Sequence, residues 1–186
     1  MTNQPRPDMD HYMMGIAIAV RSRANCLGSK VGALIAVDRR IVSTGYNGTP
    51  SGMRNCDQGG CDRCADPRRF PPGTAYDVCI CVHAEQNALL AAARFGIPVA
   101  GATIYTTLRP CFGCFKELLQ AQVEAVRYLH EWAPRDPSLR NEYERLVSAF
   151  VSGVQQVTVE DPDRAWAMAS ARVGTGQAPP GEVRTS

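Results

Sequence analysis

Three possible metal ligands and one carboxylate occur at a spacing that suits hydrolytic chemistry. His83 is followed two positions later by Glu85, and Cys111 and Cys114 follow Pro110 in the order Pro-Cys-x-x-Cys. Two thiolates and one imidazole suit tetrahedral zinc, and three protein ligands leave the fourth position open, as in catalytic sites. A carboxylate beside that open position can take a proton from zinc-bound water and pass it on. We therefore predict a catalytic zinc site with Glu85 as its proton carrier.

Each part of this pattern also has a simpler interpretation. An isolated Cys-x-x-Cys is more often a structural zinc site or a redox pair than part of a catalytic site, and an isolated histidine is most often a core residue. Here the histidine precedes a predicted helix, the carboxylate has the right offset, and a proline precedes the cysteine pair. His-x-Glu followed by Pro-Cys-x-x-Cys is typical of zinc-dependent nucleobase deaminases, and the combination favours that reading.

Composition limits the classes of protein that this chain can belong to. Its 186 residues are 45% hydrophobic and 20% charged, which is typical of one globular domain. A net charge of +2 is too small to indicate a nucleic-acid groove or a membrane surface. The polar start has no apolar signal core, so we expect a cytoplasmic protein. In a reducing compartment, eight cysteines are better explained by metal than by disulfides.

Strand-like and helix-like segments alternate along the chain, which indicates an α/β sandwich. A helix capped by Asp10 is expected to run to Val20 and to be buried against a sheet. The predicted strands are residues 31–37, 41–47, 102–107, 123–129 and 154–159. The other predicted helices are residues 84–95, 111–120 and 137–150.

Two segments do not fit the regular pattern. Residues 55–78 are rich in Cys, Gly, Pro and charge, and cannot build a core by themselves; a metal clip explains their order best. We predict one domain over residues 1–160, including this insert, and a flexible C-terminal tail over residues 161–186.

The chain resembles the deoxycytidylate (dCMP) deaminase family, within the cytidine deaminase superfamily. The resemblance covers roughly residues 9–159 and departs from the family at Arg109, in the length of the insert and in the tail. It rests on the zinc-site segments 83–88 and 110–114, and on Arg21-Ser22 with Cys26, Lys30-Val31-Gly32-Ala33 and Gly45-Tyr46-Asn47-Gly48-Thr49-Pro50-Ser51-Gly52.

The resemblance implies a fold, a reaction and partners. The fold is a three-layer αβα sandwich with a five-stranded mixed sheet, and the reaction is hydrolysis of dCMP to dUMP and ammonia, which supplies thymidylate synthesis. Many members are homo-oligomers, so a hexamer or a dimer is expected, and some are regulated by dCTP and dTTP.

The resemblance also implies substrate contacts. Asn47 is expected to bind the deoxyribose hydroxyl, and the Ala84 backbone is expected to contact the pyrimidine. Trp132 aligns with an aromatic residue that packs on the base, although ordinary surface burial explains it equally well. Lys30 and Arg109 are candidates for the 5′-phosphate.

A second, structural zinc is the last expectation from the resemblance. Cys26, Cys56, Cys61 and Cys79 match the extra zinc ligands that some bacterial and archaeal members carry. Four thiolates with no open position make a structural site. Cys64 and Cys81 are alternative ligands, and a set of buried inert thiols is the simplest alternative.

Two other functions stay open at this point. One is a deaminase of another cytosine nucleotide, a nucleoside or a nucleic-acid base. The other is a non-catalytic, zinc-stabilised regulatory or assembly module, against which an intact Glu85 argues.

Overall fold

The first helix begins at an aspartate two residues earlier than expected. The computed structural model describes residues 5–70 and 74–168. Helix α1 (Met9–Arg21) is capped by Asp8, whose carboxylate accepts a hydrogen bond from the His11 N–H at 2.9 Å. Asp10 lies inside the first turn, where its charge still suits the helix dipole. The predicted cap was therefore wrong, because Asp8 has the extended backbone that a cap requires.

A hairpin starts the sheet. Strands β1 (Gly32–Val37) and β2 (Arg40–Tyr46) pair antiparallel. Asp38 and Arg39 form the turn with φ values of 48° and 62°, the left-handed conformation that two-residue hairpins favour. At Gly45, an added Cβ would lie 2.2 Å from the Ala84 carbonyl oxygen, so only glycine lets β2 approach the helix that follows His83.

The sheet is mixed and five-stranded, as expected. Strands β3 (Thr103–Leu108), β4 (Ala125–His130) and β5 (Val154–Gln156) complete it. The order is β2-β1-β3-β4-β5, with β1–β3 antiparallel and β3–β4 and β4–β5 parallel. The last strand ends earlier than the predicted 159.

Helices cover both faces of the sheet. The remaining ones are α2 (Asp62–Ala65) in the insert, α3 (Ala84–Arg94), α4 (Phe112–Gln120), α5 (Arg140–Ser148) and α6 (Arg164–Ala167). On one face, Leu34 and Ala36 of β1 pack in a core with α1. On the other, Ala33 and Ile35 pack in a core with α3, α4 and α5. Alternation along β1 therefore supplies both cores, which gives the three-layer αβα sandwich. Every helix in the described part of the chain is too short or too polar to span a bilayer.

The predicted tail begins too early. Asp161 lies against the domain, and its carboxylate accepts two hydrogen bonds from Arg21 at 2.6 and 2.7 Å. The Nε2 atom of His130 lies 2.6 Å from the same carboxylate. The side chains of Arg21 and Asp161 are 1% and 3% exposed, so this is a buried ion pair. Helix α6 follows it, and residues 169–186 lie outside the described part of the chain.

Loss of the Asp161 carboxylate should destabilise the protein. Asp161→Asn leaves Arg21 buried without its counter-ion, which should lower the free energy of unfolding by about 3–5 kcal/mol near neutral pH. Urea unfolding of the purified variant measures this, and the exposed Asp163→Asn is the matched control. Equal midpoints for the two variants would contradict the importance of the pair.

Acid should remove the stabilisation that the Asp161 carboxylate provides. Burial raises the pKa of Asp161, but hydrogen bonds from Arg21 and His130 outweigh it and lower the pKa from 3.8 to about 2. A lowered folded-state pKa means that the stabilisation is complete above about pH 4 and is lost as the pH falls through about 2. The difference in free energy of unfolding between wild type and Asp161→Asn should therefore narrow as the pH falls from about 4 to about 2.

Candidate active site

The starts of two helices bring the predicted zinc ligands together. His83 directly precedes α3, and Cys111 directly precedes α4. The His83 N–H donates to the Gln86 side-chain oxygen at 2.9 Å, which fixes the entry into α3. Strand β3 leads through Arg109 and Pro110 into α4, so both helix starts meet beside the end of the sheet.

The geometry of these side chains fits a zinc ion. The Nδ1 atom of His83 lies 3.4 Å from each of the Cys111 and Cys114 sulfurs, and the two sulfurs are 3.6 Å apart. Tetrahedral bonds of about 2.0–2.3 Å to nitrogen and sulfur place the ligand atoms about 3.3–3.8 Å apart. The hydrogen bond with Cys114, and then His83, lowers the pKa of Cys111 to about 4, which favours a thiolate. His83, Cys111 and Cys114 form the predicted zinc site.

The predicted proton carrier is buried beside this site. Glu85 is 4% exposed, and its Oε2 atom lies 3.6 Å from the Cys114 sulfur. Burial raises its pKa, and the charge of His83 partly opposes that effect. The Thr106 hydroxyl donates to Glu85 Oε1 at 3.0 Å, so β3 orients the carboxylate. Sequence reasoning missed Thr106, although a threonine near the end of a buried strand was a usable signal.

A cavity of about 520 Å³ opens onto these groups. Its lining includes His83, Glu85, Cys111 and Trp132. The Trp132 ring packs against Tyr143 at 5.5 Å and faces Tyr76 at 6.3 Å between centroids. Tyr76 in turn meets the His83 ring edge-on at 5.4 Å and also lines the cavity. Trp132 therefore lies in the cavity wall, and its packing on a base stays a prediction. Tyr76 is an aromatic neighbour that the sequence analysis did not predict.

The other two predicted substrate contacts also line the cavity. Ala84 is fully buried at the start of α3. The Asn47 amide accepts from the Val31 N–H and donates to the Ser29 carbonyl oxygen, both at 2.8 Å. Asn47 therefore holds the segment before β1, and one amide hydrogen and one oxygen lone pair are left for a ligand.

The two cations proposed for a phosphate have different positions. Lys30 donates to the Cys26 carbonyl oxygen at 2.8 Å and lies over the Trp166 ring. Arg109 lines the cavity, but its guanidinium is 3.4 Å from Glu131 and 3.3 Å from Glu144. Arg135 also lines the cavity and is exposed, so it is a third candidate that sequence reasoning missed.

The remaining cysteines gather in one cluster, but not in the predicted set. They form two overlapping groups, each with its sulfurs within 4.8 Å of one another: Cys26, Cys56, Cys64 and Cys81, and Cys61, Cys64, Cys79 and Cys81. The predicted quartet is thus divided into two pairs, and Cys64 and Cys81 belong to both groups. Cys61 and Cys79 lie with Cys64 and Cys81 in one of these groups, so the preference for Cys61 and Cys79 as ligands stays a prediction.

Comparison with known proteins identifies the family. The model of the cytidine and deoxycytidylate deaminase zinc-binding region matches residues 7–130. The chain belongs to the deoxycytidylate deaminase family. The deoxycytidylate deaminase of Mycobacterium phage D29 is 42% identical over 68% of this chain and 98% of its own. The Schizosaccharomyces pombe and Saccharomyces cerevisiae deoxycytidylate deaminases are 39% and 37% identical, and the chain spans only 38% and 42% of their lengths.

A solved structure supports the same assignment. The dCMP deaminase of the cyanophage S-TIM5 in apo form matches with a TM-score of 0.61 and 28% identity, over 82% of this chain and all of that one. The same phage enzyme was also solved in complex with dCMP and dUMP.

Loss of a ligand should release one metal ion from this family member. His83→Ala should lower the zinc content of the purified protein by about one ion per chain, because two cysteines alone hold zinc weakly. Elemental analysis measures the loss. His11→Ala, on the exposed face of α1, is the matched control and should keep the wild-type content. Equal zinc content in the two variants would contradict the assignment.

Proposed function

We propose that this protein hydrolyses dCMP to dUMP and ammonia in a zinc-dependent reaction. The observation that carries the proposal is the buried Glu85 carboxylate beside the His83, Cys111 and Cys114 group at the wall of a cavity. A structural zinc site does not need such a carboxylate. The similarity to deoxycytidylate deaminases and to a phage enzyme solved with dCMP and dUMP supports this substrate.

The side chains divide the work of the reaction. His83, Cys111 and Cys114 would hold zinc, which would supply a Lewis acid that lowers the pKa of water so that a nucleophile exists at neutral pH. Glu85 takes a proton from the water that adds to C4 of cytosine. It delivers that proton to ring N3, then takes the proton of the hydroxyl now on C4 and passes it to the amino group, which leaves as ammonia while C4 becomes a carbonyl. Thr106 holds the carboxylate in place for both transfers.

The cavity wall supplies the substrate contacts that we propose. Trp132 and Tyr76 offer apolar surfaces to the base, and the Ala84 backbone lies at its edge. Asn47 can use its remaining hydrogen-bonding capacity for the deoxyribose hydroxyl. For the phosphate we favour Arg109 and Arg135 over Lys30, since both arginines line the cavity.

Further parts of the proposal concern metal content, assembly and location. We propose that the cysteine cluster holds zinc in a structural role, because its sulfurs have the separations of zinc ligands. A homo-oligomer, and regulation by dCTP and dTTP, are proposed on the family resemblance. The eight cysteines are all free, which supports a reducing, cytoplasmic location.

Removal of the Glu85 carboxylate should abolish turnover and leave metal binding intact. Glu85→Gln has nearly the same shape, so zinc should stay bound while kcat on dCMP falls by about a hundredfold or more. Steady-state kinetics and elemental analysis measure the two effects. Glu142→Gln, on the exposed side of α5, is the matched control. A near-normal kcat for Glu85→Gln would overturn the role of this residue.

A substrate panel tests the identity of the substrate. Ammonia release should be faster from dCMP than from deoxycytidine by a large kcat/KM ratio, because the cavity carries arginines beside the base-binding wall. The panel also includes dCTP, cytidine and a cytosine-containing single strand. Equal rates on deoxycytidine and dCMP would place the protein in another branch of the cytidine deaminase superfamily. No ammonia release from any of these compounds would favour a non-catalytic module.

A further inference from the structure

The cysteine cluster has more ligands than one tetrahedral ion can use. Six sulfurs are grouped, and a single zinc takes four. The Cys64 sulfur lies 3.6 Å from Cys26, 3.6 Å from Cys79 and 4.0 Å from Cys81. The sulfurs of Cys61 and Cys79 are 4.0 Å apart. Zinc–sulfur bonds of about 2.3 Å place the sulfurs of one tetrahedral site about 3.8 Å apart, which is close to these four separations.

We propose that this cluster binds two zinc ions that share Cys64 and Cys81 as bridging thiolates. One ion uses Cys26 and Cys56 as its other ligands, and the other uses Cys61 and Cys79. Every sulfur of the cluster then has a metal partner. Six cysteines that hold two zinc ions are known from the Zn₂Cys₆ modules of DNA-binding proteins.

Charge does not oppose the second ion. One Zn²⁺ with four thiolates carries a net charge of about −2, and two Zn²⁺ with six thiolates carry the same net charge. A single ion would instead leave two thiols packed against bound thiolates. The Arg63 guanidinium lies beside Cys64 and Cys79 and offsets part of the negative charge, and the Leu27 N–H donates to the Cys56 sulfur at 3.3 Å.

The backbone is arranged to bring the ligands together. Cys61 caps α2, so that the short helix presents Cys64 one turn later. An added Cβ at Gly60 would lie 1.9 Å from the Arg54 carbonyl oxygen, so only glycine fits directly before Cys61. Besides cysteines, Leu27 is the only apolar side chain that packs in this cluster within the described residues. Apolar packing is therefore small here, and metal is left to order the segment.

The cluster also adjoins the candidate active site. Cys64, Cys79 and Cys81 line the same cavity as His83 and Glu85. The Arg63 guanidinium lies over the ring of Tyr76 at 5.2 Å, and Tyr76 contacts His83. Two ions rather than one would fix both sides of the insert, and so hold this wall of the cavity in place.

Counting metal ions tests the inference without reference to turnover. Native mass spectrometry and elemental analysis of the full chain, purified with zinc, should give about three zinc ions per chain, with one at His83 and two in the cluster. A total of about two overturns the binuclear cluster but leaves the structural zinc. A total of about one overturns the structural zinc as well, and leaves the deaminase proposal untouched. Iron in the cluster, seen by its visible absorption, also contradicts the inference.

Matched variants separate bridging ligands from terminal ones. Cys26→Ser removes a ligand from one ion and should leave about two ions per chain, whereas Cys64→Ser removes a shared ligand and should leave about one. An equal loss of zinc in the two variants would overturn the bridging role of Cys64.

A spectroscopic measurement covers the case in which Cys64→Ser does not fold. In the wild-type protein loaded with cadmium, NMR should show two cluster resonances coupled to each other through the shared sulfurs. A single cluster resonance, or two without coupling, would overturn the inference.

Discussion

Parallel pairing of β3 with β4 is the constraint that places the catalytic residues. Parallel neighbours need a crossover, and here α4 makes it, so α4 must begin where β3 ends. That start carries Cys111 and, one turn later, Cys114. The close approach of β2 to α3 at Gly45 sets the start of the other helix at the same place. The zinc ligands are therefore positioned by the sheet and by helix packing rather than by a flexible loop.

The same arrangement determines the electrostatics of the site. Glu85 lies in the first turn of α3 and is almost completely buried, so water cannot stabilise its charge. The Thr106 hydroxyl, the thiolates and His83 surround it instead. Burial raises the pKa of this carboxyl group, and the charge of His83 and the hydrogen bond from Thr106 act against that effect. The residue suits a proton carrier for that reason.

The insert is built on a different principle from the rest of the domain. The sheet is held by two apolar cores, one on each face, whereas the described part of the insert, residues 55–70 and 74–78, packs around cysteines. A segment with so little apolar surface gains little from burial, and the zinc ions proposed for the cluster would order it instead. Because this segment carries Tyr76 and forms part of the cavity wall, its stability affects the shape of the substrate site.

The sequence by itself determined the chemistry and most of the regular structure. His-x-Glu and Pro-Cys-x-x-Cys are local patterns at helix starts, and their ligand offsets follow from helix geometry alone. The apolar run of residues 31–37 likewise predicted strand β1. These features depend on residues that are close in the chain.

Only the tertiary structure decided which distant residues meet. The sulfurs of Cys26 and Cys64 lie 3.6 Å apart although 38 positions separate the two residues in the chain. No spacing rule predicts whether Cys61 or Cys64 lies beside Cys26. Asp161 was predicted to begin a flexible tail. It instead forms a buried ion pair with Arg21, which lies near the other end of the chain. Tertiary packing likewise places Thr106 beside Glu85 and Tyr76 beside His83. Pairing between distant segments depends on how the layers pack, and that packing is a property of the whole chain, which local patterns do not encode.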